Sequence, residues 1–161
     1  MTERVLVYGL AVAGQATVRA LLDRRYDVVA VDDRESESLR SFATAVGIDV
    51  EFSPSIERVE QLVRTSTMVA PAPGIPESHP LIDLARRLDR RIVTELDLAY
   101  EWESNRAGGP RPIVAVTGTD GKTTTTLLAA AMLQASGRRT VACGNTEVPM
   151  VEALSLDRKS T

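Results

Sequence analysis

Two rhythms of apolar residues alternate along this chain. Val5-Leu6-Val7-Tyr8 is a short apolar run closed by Gly9, which predicts a buried strand. Val18, Leu21 and Leu22 then recur at helical spacing. Val28 to Val31 is a second buried run, ended by Asp32 and Asp33. Leu39, Phe42, Ala43 and Val46 line one helix face, and Gly47 is a natural stop. Ile48, Val50 and Phe52 alternate with Asp49 and Glu51, the pattern of a half-exposed edge strand. Ile56, Val59, Leu62 and Val63 predict another helix, and Met68 to Ala70 another strand.

A loop with four prolines and one glycine, 71–80, comes next. Leu81, Leu84, Ala85 and Leu88 resume helical spacing, and Ile92-Val93 reads as a short strand. Thr94, with Asp97 three residues on, resembles a capping box for a helix running to about Glu103. Strand and helix taking turns in this way predict an α/β fold, a parallel sheet covered on both faces.

The segment 104–112, SNRAGGPRP, interrupts the alternation and reads as an interdomain linker. Beyond it the pattern restarts, with a strand at Ile113 to Val116, a glycine loop, a helix from about Thr123 to Ser136 and a strand at Thr140 to Cys143. The expected organisation is a Rossmann-like parallel-sheet domain over 1–103, the linker, and a partial α/β domain with a phosphate loop over 113–161. So small a second sheet would leave apolar faces uncovered.

Composition narrows the classes. With 161 residues, 43% of them hydrophobic and 25% charged, the chain reads as an ordinary soluble protein. A net charge of −3 argues against a broad polyanion surface but is compatible with a local phosphate site. Cys143 is the only cysteine, so no internal disulfide forms, and a reducing compartment fits. The apolar start, Val5 to Gly14, is too short to span a bilayer, and no cleavage pattern follows it. The expectation is a cytoplasmic, monomeric protein that contacts neither nucleic acid nor membrane.

Three motifs carry candidate chemistry. Thr117 to Thr124, TGTDGKTT, lies between an expected strand and an amphipathic helix, the context a phosphate loop requires. Glycines let several backbone N–H groups converge on one anion, and the helix adds the positive end of its dipole. Lys122 can reach terminal phosphates, and the Thr123 hydroxyl is placed for Mg²⁺. The eight-residue Walker pattern wants glycine where Val116 stands, so Gly118 and Gly121 are the turning residues of a variant loop. Gly9 to Gly14, GLAVAG, resembles a dinucleotide fingerprint with Ala11 at the middle glycine. It admits NAD, a purely structural turn, or another nucleotide across the same strand ends, and Asp32 stands where a ribose would be held. Ala72-Pro73-Gly74-Ile75-Pro76 follows a strand and reads either as a rigid connection or as a loop bringing the Gly74 N–H to that crevice.

The order GLAVAG, APGIP, TGTDGKTTT and Gly144-Asn145 resembles the Mur ligases, over essentially the whole chain to about Leu154. The phosphate loop marks the wider superfamily that includes folylpolyglutamate synthases, and the Pro-Gly-Ile loop points to the D-glutamate-adding branch. The resemblance implies an ATP-dependent, Mg²⁺-requiring ligase of peptidoglycan synthesis that joins D-glutamate to UDP-N-acetylmuramoyl-L-alanine. It places the nucleotide against Val12 and Ala13, with Asp32, Asp33 and Arg34 around uracil and ribose and Gly74 adding a backbone contact. It places ATP on Gly118, Thr119, Asp120, Gly121, Lys122, Thr123 and Thr124, with Lys122 catalytic and Thr123 on the metal, and it puts Asn145 near the substrate. Asp120 stands where the family usually has asparagine, Thr146-Glu147 where it has Ile-Gly, and Ala72 where serine is common. The family's later metal-binding glutamate and histidine, its carbamylated lysine and its C-terminal domain have no counterpart here, so the chain alone is expected not to catalyse ligation. Rival readings are another ligase of the superfamily, a stand-alone nucleotide-binding module and a dehydrogenase.

The remaining polar landmarks have structural readings. His79 is expected to be a surface side chain without a partner, Cys143 a small core residue ending a strand, and Trp102 a packing group at the domain edge. The pairs Arg24-Arg25, Arg86-Arg87, Arg90-Arg91 and Arg138-Arg139 flank helix ends, where cations complement the dipole.

Overall fold

The computed structural model describes residues 3–144 and 148–156. The chain divides into two compact units, 1–98 and 99–161, with the boundary inside one helix.

The first unit is built on five parallel strands: β1 (Arg4–Tyr8), β2 (Asp27–Asp32), β3 (Val50–Phe52), β4 (Met68–Pro71) and β5 (Arg91–Ile92). Their spatial order is β3-β2-β1-β4-β5. Val5 pairs with Val28 on one side and with Met68 on the other, so β1 is central. Helices α1 (Val12–Asp23), α2 (Glu37–Val46), α3 (Ile56–Thr65) and α4 (Pro80–Arg87) connect the strands. Right-handed crossovers put the helices of the β1-to-β3 run on one face and those of the β3-to-β5 run on the other. Side chains of β1 alternate between the faces. Leu6 and Tyr8 join Val59, Leu62 and Val63 of α3 and Leu81, Leu84 and Ala85 of α4 in one core cluster. Val5 and Val7 are equally buried on the opposite face, which is why the whole run is apolar. Of the alternating segment at 48–52, Val50–Phe52 forms the expected edge strand.

Local chemistry sets the helix ends. The Ser36 and Ser55 side chains accept N–H bonds from Leu39 and Arg58 and so cap α2 and α3. Gly47 closes α2 in the left-handed conformation, with φ of 72°. Thr94 and Asp97 form the expected reciprocal box: the Asp97 N–H donates to Thr94 Oγ1 at 3.1 Å and the Thr94 N–H to Asp97 Oδ2 at 2.8 Å. That box starts α5 (Glu95–Ser104), whose C-terminal part belongs to the second unit.

In the second unit, α6 (Lys122–Ala135) and α7 (Met150–Leu156) are the remaining helices among the described residues. The strands expected at 113–116 and 140–143 do not form. A strand is defined by its partners, and two short segments offer too little ladder and too little buried face to hold a sheet. Val114 is 70% exposed, and Leu127, Leu128 and Met132 of α6 are more than half exposed. Cys143 is half-buried and lies on no strand, which corrects its reading as a strand-ending core residue. Trp102 is half-buried on α5. The segment 104–112 is closed into a loop: the buried Glu103 carboxylate accepts the Arg111 N–H at 2.7 Å and two guanidinium N–H groups at 3.0 and 2.5 Å. The guanidinium hydrogen bonds hold the Glu103 carboxyl below the usual carboxylate range, against the effect of burial. Among the described residues, no helix is long and apolar enough to cross a membrane.

Candidate functional site

Strand order in the first unit reverses direction between β1 and β4. In open parallel sheets such a reversal opens a crevice beyond the C-terminal strand ends, where ligands settle. The segments after β1, β2 and β4 border it: Val12-Ala13 open α1, Asp33-Arg34 follow Asp32 at the end of β2, and Gly74 lies in the loop after β4. The structure thus gathers these six sequence-derived candidates on three adjacent strands.

The GLAVAG loop is held by sterics and by Asp32. Gly9 has φ of 90°, and a Cβ on Gly14 would lie 1.9 Å from the Gly9 carbonyl oxygen. Only glycine permits this approach of α1 to β1. The Leu10 N–H donates to Asp32 Oδ2 at 2.6 Å, and the Arg34 N–H donates to Oδ1 at 2.8 Å. Asp32 therefore brackets the β1 and β2 loops together. Ser53, at φ of 44°, donates its N–H to the Asp32 carbonyl at 2.9 Å and its hydroxyl to the Asp33 carbonyl at 2.6 Å. Val12 opens α1 and is 67% exposed, Ala13 is half-buried, and Arg34 and Gly74 are exposed.

Two residues of this region escape a sequence reading. Tyr8 ends β1 almost fully buried, and its hydroxyl donates to Asp33 Oδ1 at 2.5 Å. Burial, then the hydrogen bond to Asp33, then the charges of Asp33 and Asp32 push the phenol well above its ordinary pKa, so it stays a donor. The His79 ring sits 5.0 Å from the Tyr8 ring, and its Nδ1 accepts the Leu81 N–H at 3.2 Å, capping α4. His79 is thus half-buried and partnered, which corrects its reading as a surface side chain without a partner. The sequence signal was a tyrosine closing an apolar strand, a ring whose hydroxyl needs a partner when buried.

The phosphate-loop motif of the second unit is curled. Gly118 has φ of 151°, and Gly121 is the N-cap of α6 with φ of 74°. The Lys122 ammonium turns back to donate to the Gly118 carbonyl at 2.5 Å and the Thr119 carbonyl at 3.0 Å. No side chain caps α6, and the first intrahelical bond runs from the Thr125 N–H to the Gly121 carbonyl at 2.9 Å. The N–H groups of Lys122, Thr123 and Thr124 therefore stand at the positive end of the helix dipole. No capping side chain occupies the N-terminal N–H groups of α1 and α6, whereas a side chain takes up one such N–H in each of α2, α3, α4 and α5.

Thr119, Asp120, Gly121, Thr123 and Thr124 are exposed on this loop with Gly118 and the half-buried Lys122, a set that fits a polyphosphate. Thr123 offers a divalent cation one hydroxyl, and among the described residues no group of three His, Cys, Asp or Glu could hold a metal. Any Mg²⁺ there would complete its shell with phosphate oxygens and water. Asn145 lies outside the described residues.

The doubly wound parallel sheet with its helices makes this an α/β protein, and its switch point and the glycine loop before α6 are its candidate ligand sites. No family model matches the chain. It is 38% identical over 156 residues, 95% of its length, to UDP-N-acetylmuramoylalanine–D-glutamate ligase of Frankia casuarinae. It is 32% identical over 94% of its length to the protein of that name from Trichlorobacter lovleyi. Among solved structures, UDP-N-acetylmuramate-alanine ligase from Thermotoga maritima matches 83% of the chain with a TM-score of 0.50 and 25% identity, covering 29% of that protein. The chain is similar over most of its length to proteins named as ligases of this kind, and it spans about a third of the length of the two curated relatives, 31% and 32%.

Proposed function

We propose that this chain is the nucleotide-handling part of an ATP-dependent ligase that adds D-glutamate to UDP-N-acetylmuramoyl-L-alanine in the cytoplasm during peptidoglycan synthesis. The observation that carries the reading is the curled loop at the uncapped start of α6, with Lys122 folded onto the Gly118 and Thr119 carbonyls. Likeness to the curated ligases across 95% of the chain supports it.

In this reading the crevice of the first unit receives the UDP end of the substrate, between Val12-Ala13, Asp32-Asp33-Arg34 and Gly74. Gly118 to Thr124 cradle ATP, Thr123 contributes to holding Mg²⁺, and Asn145 meets the substrate. Mg²⁺ would neutralise phosphate charge. Lys122 would leave the loop carbonyls and turn to the terminal phosphates. There it offsets charge as the γ-phosphoryl passes to the substrate carboxylate, giving an acyl phosphate and ADP. The amine of D-glutamate then attacks the acyl carbon, the amide forms and phosphate leaves. The chain's own part is positioning and electrostatics, which supply most of the catalysis in phosphoryl transfer.

Calorimetric titration with UDP and, separately, with Mg-ATP tests the two sites. Wild-type protein is expected to bind both, and Lys122→Ala to lose ATP binding while keeping UDP binding. Unaltered ATP affinity in Lys122→Ala, or no UDP binding by the wild type, refutes the corresponding assignment.

A further inference from the structure

We propose that Tyr8 is a positioning residue for nucleotide recognition, fixing the Asp33 carboxylate at the mouth of the first unit's crevice. This rests on the reading of that crevice as the UDP site. Of the two acids ending β2, Asp32 has both carboxylate oxygens engaged by main-chain N–H groups of Leu10 and Arg34. Asp33 is exposed, and its one side-chain bond among those described comes from the Tyr8 hydroxyl, to Oδ1 at 2.5 Å. Its second oxygen is left to accept from a ligand hydroxyl or imide N–H. An exposed carboxylate with free rotamers would have to be ordered each time a ligand bound, at a cost in affinity. The bond from Tyr8 removes that cost in advance.

The phenol suits the task because its own position is fixed. Tyr8 is 4% exposed and belongs to the core cluster with Leu6, Val31 and Val63. Its main-chain carbonyl accepts the Ala72 N–H at 2.8 Å, tying it to the start of the APGIP loop. Its ring meets His79, which caps α4 at the far end of the same loop. One core side chain thereby braces the Asp33 side of the crevice and the loop that carries Gly74.

Removing the hydroxyl leaves the core contacts in place, and the exposed Asp33 is not orphaned from water, so Tyr8→Phe should fold normally. With UDP as the probe, Tyr8→Phe is expected to bind about two- to tenfold more weakly, the cost of ordering one side chain on binding. Thermal melts of each variant report folding alongside. A double-mutant cycle with Asp33→Ala separates positioning from general structural damage. If Tyr8 acts through Asp33, the double variant binds UDP as weakly as Asp33→Ala alone. Additive losses, or Tyr8→Phe binding UDP like the wild type, overturn the proposal while leaving the UDP site standing. Failure of the wild type to bind UDP removes both.

Discussion

Gly14→Ala puts two effects in opposition, and the structure says which is larger. Gly14 lies in the first turn of α1, where alanine is the better helix former by about 0.8–1.0 kcal/mol. Propensity alone therefore expects a more stable protein. The new methyl, however, would sit 1.9 Å from the Gly9 carbonyl oxygen and 2.9 Å from its carbon. Contacts of a Cβ below 3.0 Å do not persist, so α1 and the β1 loop must part by about 1 Å. The carbonyl has little room to yield, because Gly9 donates its N–H to the Val31 carbonyl at 2.8 Å and is pinned to the sheet. Overpacking of this kind costs about 1–3 kcal/mol, here at the upper end because the atom met is backbone. Net destabilisation is about 2 kcal/mol, a large share of a total of roughly 5–15 kcal/mol. For a unit of this size that lowers Tm by roughly 8–16 °C. Far-UV circular dichroism melts would read it, with Gly74→Ala as the control, since a Cβ there meets nothing within 4 Å. UDP affinity should fall as well, since the shift displaces Val12 and Ala13. A Gly14→Ala protein melting at or above the wild-type temperature would refute the steric reasoning.

Other perturbations follow from single contacts. His79→Ala should cost about 1 kcal/mol through loss of the α4 cap, and His79→Asn, which can still accept the Leu81 N–H, should recover most of it in denaturant titrations. Ser55→Ala should likewise cost about 1 kcal/mol by exposing the start of α3. Glu103→Gln should destabilise the second unit by on the order of 1–3 kcal/mol at neutral pH. Because the folded Glu103 pKa is depressed, its contribution is present above the unfolded value of about 4.3 and is lost as pH falls through the folded one. The gap between wild type and Glu103→Gln in denaturant midpoints should therefore close on acidification, and a gap that widens would contradict the pairing with Arg111.

Short-range patterns made much of this protein legible from sequence. Apolar runs of four or so residues marked β1, β2 and β4, alternation marked β3, and Thr94 with Asp97 marked the start of α5, because each depends on residues within a turn or a strand of one another. The turn before α6 was legible for the same reason: Gly118, Gly121 and Lys122 act on a stretch of only a few residues. Only the tertiary structure decided what each polar side chain meets. Asp32 reaches Leu10 and Tyr8 reaches Asp33 across 22 and 25 residues of sequence, and both meetings depend on β1 and β2 being neighbours. His79 found Tyr8 because the strand order carries β4 to the other side of β1. The apolar runs at 113–116 and 140–143 make the converse point. A run can prefer to be a strand, but it becomes one when a neighbour takes up its N–H and carbonyl groups, and no local pattern supplies that neighbour.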